Sequence, residues 1–281
     1  MPNLPAVYSE HILSDMARLK DLTKSWTAWW MVCFMIAQSF QLINAAGYAL
    51  VEATQGHRTP IIKAHYAFLM ATTILFFLVP LALFLLTDKR WTNIFLWSGT
   101  ICYLIQMSCQ SSFANQTNVQ IRFGWAGFSS AIVASTYLFF RREKFKNDTP
   151  IYGHYESGTS WSNFFNASVL VFLSISYAGF YQFSAVFNQF ANGYEKAIMI
   201  LACIAFILAG IASLFSFYET KFGKPWFMFV SFVVHLVVVA MSNHRHNGQT
   251  NTHEVRLAFG WIATIVMFMS NVCHQIERKM F

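Results

Sequence analysis

Charge is scarce in this sequence, since only 11% of its 281 residues are Asp, Glu, Lys or Arg. Soluble domains contain about 25% charged residues, so a water-soluble globule of this length could not cover its surface. Disordered, collagen-like and coiled-coil chains need a polar or repetitive composition, which is also missing. Because 56% of the residues are hydrophobic, the composition predicts a polytopic membrane protein.

Residues with obvious chemistry are also few. The sequence contains no nucleotide-binding loop, nucleophile elbow, paired carboxylates or zinc-protease motif. His65, His235 and His274 occur in apolar stretches at three different depths, so they could not ligate one metal together. We therefore predict that the protein is not an enzyme and has no catalytic, cofactor-binding or metal-ligating residues. All five cysteines fall in apolar stretches rather than outer loops, which argues against a disulfide framework.

Long apolar stretches divide the chain into candidate membrane spans. A helix needs about 20 apolar residues to cross a hydrocarbon core about 30 Å thick. Eight stretches between charges have about this length, and none shows the alternation of a transmembrane strand. They are residues 27–51, 64–87, 91–114, 123–140, 161–187, 197–218, 225–243 and 257–275. The predicted fold is therefore an all-α bundle of eight transmembrane helices.

The basic residues predict the orientation, because cytoplasmic loops are enriched in Lys and Arg. Alternate loops, counted with both termini, hold thirteen of the 19 Lys and Arg, and the other loops hold six. The thirteen are Arg18, Lys20, Lys24, Lys89, Arg90, Arg141, Arg142, Lys144, Lys146, Lys221, Lys224, Arg278 and Lys279. Both termini are thus predicted to be cytoplasmic, and the basic faces suit anionic lipids rather than nucleic acid.

A glycosylation acceptor agrees with this orientation. Asn115 begins an Asn-Gln-Thr triplet in the third loop, on the predicted outer side. Asn166 begins a second triplet, but it lies inside a predicted helix. We therefore predict a glycan at Asn115 and a location in the plasma membrane or in endomembrane vesicles.

Repeated landmarks indicate an internal duplication. Gln116-Thr117-Asn118 recurs as Gln249-Thr250-Asn251, and Phe123-Gly124-Trp125 recurs as Phe259-Gly260-Trp261. Each repeat contains an even number of helices, so the two repeats are predicted to be parallel. The predicted division is a cytoplasmic tail (1–26), a first four-helix repeat (27–146), a cytoplasmic linker (147–160) and a second repeat (161–281).

Polar side chains inside the apolar stretches are the candidate functional residues. They are Gln38, Gln41 and Asn44 in the first stretch, Gln106 and Gln110 in the third, and His235 in the seventh. Such residues either line a polar path or hydrogen-bond neighbouring helices. Two interpretations stay open: a small-molecule transporter or channel that uses them as a path, and a bundle that uses them for packing.

The four-helix units resemble the MARVEL family. The resemblance rests on Arg122-Phe123-Gly124-Trp125 through Phe140-Arg141-Arg142, and on Arg256 to Trp261 through Glu277-Arg278-Lys279. Two such units in one chain resemble the myeloid-associated differentiation marker group. The resemblance implies a non-enzymatic protein that organises membrane domains, vesicle trafficking or membrane apposition, with lipids as partners. A subunit of a larger homo- or hetero-oligomeric membrane complex is a further alternative.

Overall fold

The protein is described by a computed structural model over residues 26–45, 59–86, 90–113, 119–140, 160–177, 193–216, 223–244 and 251–280. These ranges contain eight α-helices and no strand. The helices are α1 (Trp26–Ala45), α2 (Pro60–Phe84), α3 (Arg90–Phe113), α4 (Val119–Phe140), α5 (Trp161–Ser176), α6 (Gly193–Ser216), α7 (Gly223–His244) and α8 (Asn251–Met280). The all-helical prediction is confirmed for this part of the chain.

Each predicted apolar stretch contains one helix, although the ends differ. The helix α4 begins before Arg122, and α8 continues through Arg256 at one end and Glu277 at the other. A charged side chain does not interrupt backbone hydrogen bonding, so a helix continues beyond its apolar part into the interface. The helix α5 ends at Ser176, and the rest of its predicted stretch lies outside the described residues.

Four of the described helices are long and apolar enough to cross a membrane by length and composition. They are Pro60–Phe84, Gly193–Ser216, Pro225–Asn243 and Leu257–Glu277. The helix α5 is apolar but shorter. The helix α3 is more polar because its buried face carries Thr92, Thr100, Gln106 and Gln110. The described helices therefore support a membrane-embedded protein.

The helices pack in the same pairs within each half of the molecule. We call α1–α4 the first half and α5–α8 the second half. The closest packing joins α1 to α4 and α2 to α3, and likewise α5 to α8 and α6 to α7. The helices α3 and α4, and also α7 and α8, pack beside each other. The two halves meet where α5 contacts α1 and α2, and where α6 contacts α1.

Each half has a closed apolar core. In the first half, Trp30, Phe34, Phe76, Tyr103 and Met107 are buried together. Smaller side chains fill the second core, including Ala202, Ala209 and Ala212 on one face of α6. Small residues let helices approach closely, which is the main source of packing energy where lipid provides no hydrophobic drive.

Large apolar side chains cover the outward faces of both halves. Ile101, Val133, Ile207, Trp226 and Ile265 are each more than half exposed, up to 65% for Trp226. In water such a surface would be an aggregation site, whereas in a bilayer it contacts acyl chains. The surface is therefore consistent with the four apolar helices.

Candidate functional site

A cluster of buried polar side chains lies between α1, α2 and α3. We call Gln38, Gln41, Thr73 and Gln106 the glutamine cluster. Gln41 Nε2 donates hydrogen bonds to Leu69 O at 3.2 Å and Thr73 Oγ1 at 3.1 Å. The same nitrogen lies 3.5 Å from Gln106 Oε1, which joins α1 to α3. Gln41 thus connects three helices through one amide.

Several polar atoms of this cluster have no hydrogen-bond partner among the described residues. They are both amide atoms of Gln38 and Nε2 of Gln106. Gln38 is 1% exposed, and Gln106 is completely buried. An unpaired buried amide or hydroxyl costs about 1–3 kcal/mol, so this is an expensive arrangement for a core.

These atoms lie at adjacent levels of the bundle. Gln41 contacts Thr73, and the earlier residue Phe34 contacts the later residue Phe76. The helices α1 and α2 are therefore antiparallel. Contacts of His65 with Gln106 and of Phe76 with Tyr103 make α2 and α3 antiparallel too, so α1 and α3 are parallel. Gln38 precedes Gln41 by three positions, or about 4.5 Å of helix rise, so it lies one level away on the same face of α1.

One end of the cluster is polar and the other is apolar. Towards the end of α3, Gln110 is buried, and His65 Nδ1 lies 3.1 Å from Gln106 O. A carbonyl can only accept, so Nδ1 carries the proton in that contact. At the opposite end, the ring of Phe76 packs edge-on against Phe34 and Tyr103. The cluster therefore has an apolar floor.

In the second half, both ends of the most buried described amide have a partner. Asn166 Nδ2 donates to Ser216 Oγ at 2.8 Å, and Ser270 Oγ donates to Asn166 Oδ1. Ser213 Oγ donates to the Asn166 backbone carbonyl at 2.5 Å. These bonds tie α5 to α6 and α8. The burial of Asn166 inside a helix also explains why its glycosylation triplet cannot be an acceptor site.

His235 belongs to a separate chain of hydrogen bonds in the second half. Its Nε2 lies 2.9 Å from Gly260 O, which can only accept, so Nε2 carries a proton. In the neutral imidazole, Nδ1 then accepts from the Tyr177 hydroxyl at 2.5 Å. His235 thus joins α7 to α8 and to the end of α5. It is not part of the glutamine cluster.

Two connections meet where α5 begins: the Glu277 carboxylate joins α8 to α5, and a backbone hydrogen bond joins α5 to the end of α2 in the first half. Glu277 accepts from Ser162 N at 3.1 Å and from Ser162 Oγ at 2.7 Å. The side chain of Ser160, the N-cap of α5, is 3.5 Å from the same carboxylate. The backbone nitrogen of Ser160 donates to Phe84 O at 3.3 Å. A carboxylate at a helix N-terminus is favourable because the helix dipole is positive there.

The sequence identified some of these residues and missed others. The structure brings Gln41 and Gln106 together and buries Gln38 and Gln110 in the same half. Asn44 lies in α1, but its side chain is outside the described part, and so is Asn115. Thr73, Tyr103, Asn166 and Tyr177 were not predicted. Their polar atoms within apolar stretches were the available signal, but their partners depend on helix neighbours.

Metal and disulfide chemistry receive no support from the described residues. Within these ranges no three His, Cys, Asp or Glu side chains group closely enough to hold a metal ion. All five cysteines are free thiols.

Comparisons with known protein families, with curated proteins and with solved structures found no match to this chain. Function is therefore inferred from the geometry of the chain itself.

Proposed function

We propose that this chain is a non-enzymatic multi-pass membrane protein that organises membrane domains, vesicle trafficking or membrane apposition. The observation that carries the proposal is the contrast between closed cores and an apolar outer surface. Large side chains such as Trp30, Phe34 and Phe76 fill the first core, whereas Ile207 and Ile265 are 60% exposed on the outside. Such a protein acts through its lipid-facing surface rather than through a reaction centre.

The distribution of charge supports this proposal. No Asp, Glu, Lys or Arg occurs between Ala64 and Thr87, or between Trp91 and Ile121. Among described side chains, the acidic groups Glu195 and Glu277 occupy helix ends. Ion-coupled transport and acid–base catalysis inside a membrane use charged groups at depth. The proposed partners are membrane lipids, with anionic headgroups at the predicted cytoplasmic face.

The packing pattern supports two parallel four-helix repeats and eight membrane spans. The pairs α1–α4 and α2–α3 have the counterparts α5–α8 and α6–α7 in the second half. A chain that crosses the membrane eight times has both termini on one side. A glycan at Asn115 in a secretory-pathway cell is the expected result. An N-terminal tag that antibodies reach on intact cells would contradict the orientation.

Phase-separated giant vesicles test the proposed function. The full-length protein should concentrate in one lipid phase, and Ile207→Ser together with Ile265→Ser should change that partition. Gln41→Leu alters only the interior and should leave the partition unchanged. The proposal would be wrong if the original protein and both variants divided between the two lipid phases in the same ratio. A specific solute flux in liposomes would also contradict it.

A second candidate function is passage of a small neutral solute through the first half. The unpartnered amide of Gln38 favours this alternative, because polar side chains at depth can line a path. It predicts a flux that Gln41→Leu abolishes without unfolding the protein. The apolar layer of Phe34 and Phe76 makes it the weaker candidate.

A structural subunit of a larger complex is the third alternative. The exposed apolar surface would then meet partner helices instead of lipid. Migration only as a small monomer in mild detergent would count against it.

A further inference from the structure

We propose that the glutamine cluster is a binding site for a small neutral molecule that both donates and accepts hydrogen bonds. The unpartnered amide atoms of Gln38 and Gln106 carry the proposal. Gln106 contacts Gln41 at 3.5 Å, and Gln38 lies three positions before Gln41 on the same face of α1. Water and a small solute of the carboxamide, urea or polyol class share this chemistry. The inference does not depend on the proposed function.

The unpartnered atoms specify the hydrogen-bonding character of the guest. Gln38 offers a carbonyl oxygen and an NH₂ group side by side, and both lack a partner. Gln106 Nε2 adds a donor. A guest that presents a donor and an acceptor together is complementary to this set, whereas a pure donor or a pure acceptor would satisfy only part of it.

The surroundings require a neutral guest. No Asp, Glu, Lys or Arg occurs in the parts of α1, α2 and α3 that form the cluster. An ion transferred from water into such a site would lose its hydration without gaining a counter-charge. A neutral polar molecule loses far less, and the amides replace its hydrogen bonds.

Burial limits the size of the guest. The side chains of Gln38 and Gln106 are at most 1% exposed, so a guest fits only when these flexible side chains turn aside. That movement makes room for few heavy atoms. Gln110 and His65 mark the polar approach, because they continue the cluster towards the end of α3. Phe34 and Phe76 close the opposite end, so the site is blind.

Nuclear magnetic resonance of the full-length protein in lipid nanodiscs tests the site. With Gln and Asn side chains labelled by nitrogen-15, magnetisation transfer from water should reach the Nε2 protons of Gln38 and Gln106. The matched internal control is Asn166 Nδ2, which is equally buried but bonded to Ser216. It should show no transfer from water.

Added solute distinguishes the two sources of the guest. If acetamide, urea or glycerol at 100 mM removes the water signal at Gln38 and shifts its amide resonance, a solute is the guest. If the water signal persists unchanged, water itself is the guest. If neither water nor solute contacts Gln38 or Gln106, the cluster is dry and the proposal is wrong.

Thermal unfolding of Gln38→Leu provides an independent measurement. If the site is empty, replacing an unpaired amide with a hydrocarbon of similar size should raise the unfolding midpoint. If the site is occupied, the midpoint should stay equal or fall, and the water signal at Gln106 should weaken. A raised midpoint would contradict the proposed binding site and would leave the proposed membrane function intact. A specific solute flux would contradict the proposed membrane function and not the binding site.

Discussion

The two halves of the molecule share a pattern of helix packing but treat their buried polar groups differently. In the second half, Asn166 and His235 each bind partners on two other helices. In the described part of the first half, Gln38 has no partner and Gln106 is bonded at only one end of its amide. Ser168 Oγ in the second half is also unpartnered, but it is a single hydroxyl.

The difference shows that similar packing can serve two purposes. Hydrogen bonds between helices stabilise a membrane bundle by about 0.6 kcal/mol each on average, and up to about 1.7 kcal/mol. The second half uses its polar groups in this way. The first half retains polar atoms that packing alone does not explain, which is what a binding site requires.

The largest expected effect is the loss of the Asn166 network. Asn166→Leu removes the bonds to Ser216 and Ser270 and leaves the Ser270 hydroxyl buried, so we expect the free energy of unfolding to fall by about 2–3 kcal/mol. Unfolding by detergent titration in mixed micelles, followed by circular dichroism, measures this. Asn271→Leu is the matched control, because the one partner of the Asn271 side chain within the described helices is Met267 O of its own helix. Equal losses for the two variants would contradict the assigned role of Asn166.

Gly127→Ala should produce the next largest effect, in the first half. A methyl group at this position would meet the Tyr103 hydroxyl and lie 2.8 Å from Phe40 Cβ. Overpacking of this kind costs about 1–3 kcal/mol. Because the Tyr103 hydroxyl has no hydrogen-bond partner in the described part of the chain, Tyr103→Phe should recover part of the loss in the double variant.

Gly210→Ala is the control for the glycine substitution. A methyl group there meets nothing within 4 Å, so the change should be neutral or stabilising by up to about 1 kcal/mol. The double variant Gly127→Ala with Tyr103→Phe could also prove no more stable than Gly127→Ala alone. That result would show that the Tyr103 hydroxyl does not restrict the space for the added methyl group.

A pair of tyrosines compares the two halves directly. Tyr177→Phe removes the donor to His235 and should cost about 1 kcal/mol. Tyr103→Phe removes a hydroxyl without a partner among the described residues, so it should cost much less. The difference in unfolding free energy between the two variants is the measured quantity. A larger loss at Tyr103 would indicate that its hydroxyl has a partner outside the described residues.

The smallest expected effect concerns Thr100 and Ser135. Their hydroxyls lie 2.7 Å apart, but each also bonds a carbonyl of its own helix. Thr100→Val, Ser135→Ala and the double variant should therefore give a coupling of about 0.6 kcal/mol. A coupling above about 2 kcal/mol would show that the first half also depends on interhelical bonds.

The sequence predicted which segments form helices better than it predicted which helices pack against each other. Long apolar stretches specify helices because the backbone must satisfy its own hydrogen bonds away from water. The polarity of α3 was visible as Gln106 and Gln110. Which helix would face them was not, because neighbours are set by three-dimensional packing. His235 was therefore grouped with glutamines that lie in the other half.

The hydrogen bonds between Glu277 and the start of α5 have a consequence for synthesis of the protein. The first turn of α5 emerges from the ribosome more than a hundred residues before the carboxylate that accepts its bonds. Likewise, α1 and α5 each pack most closely against the last helix of their own half. Neither half can close until its final helix has been made. A chain truncated before Glu277 would thus expose an unfinished bundle to membrane quality control, even with seven helices complete.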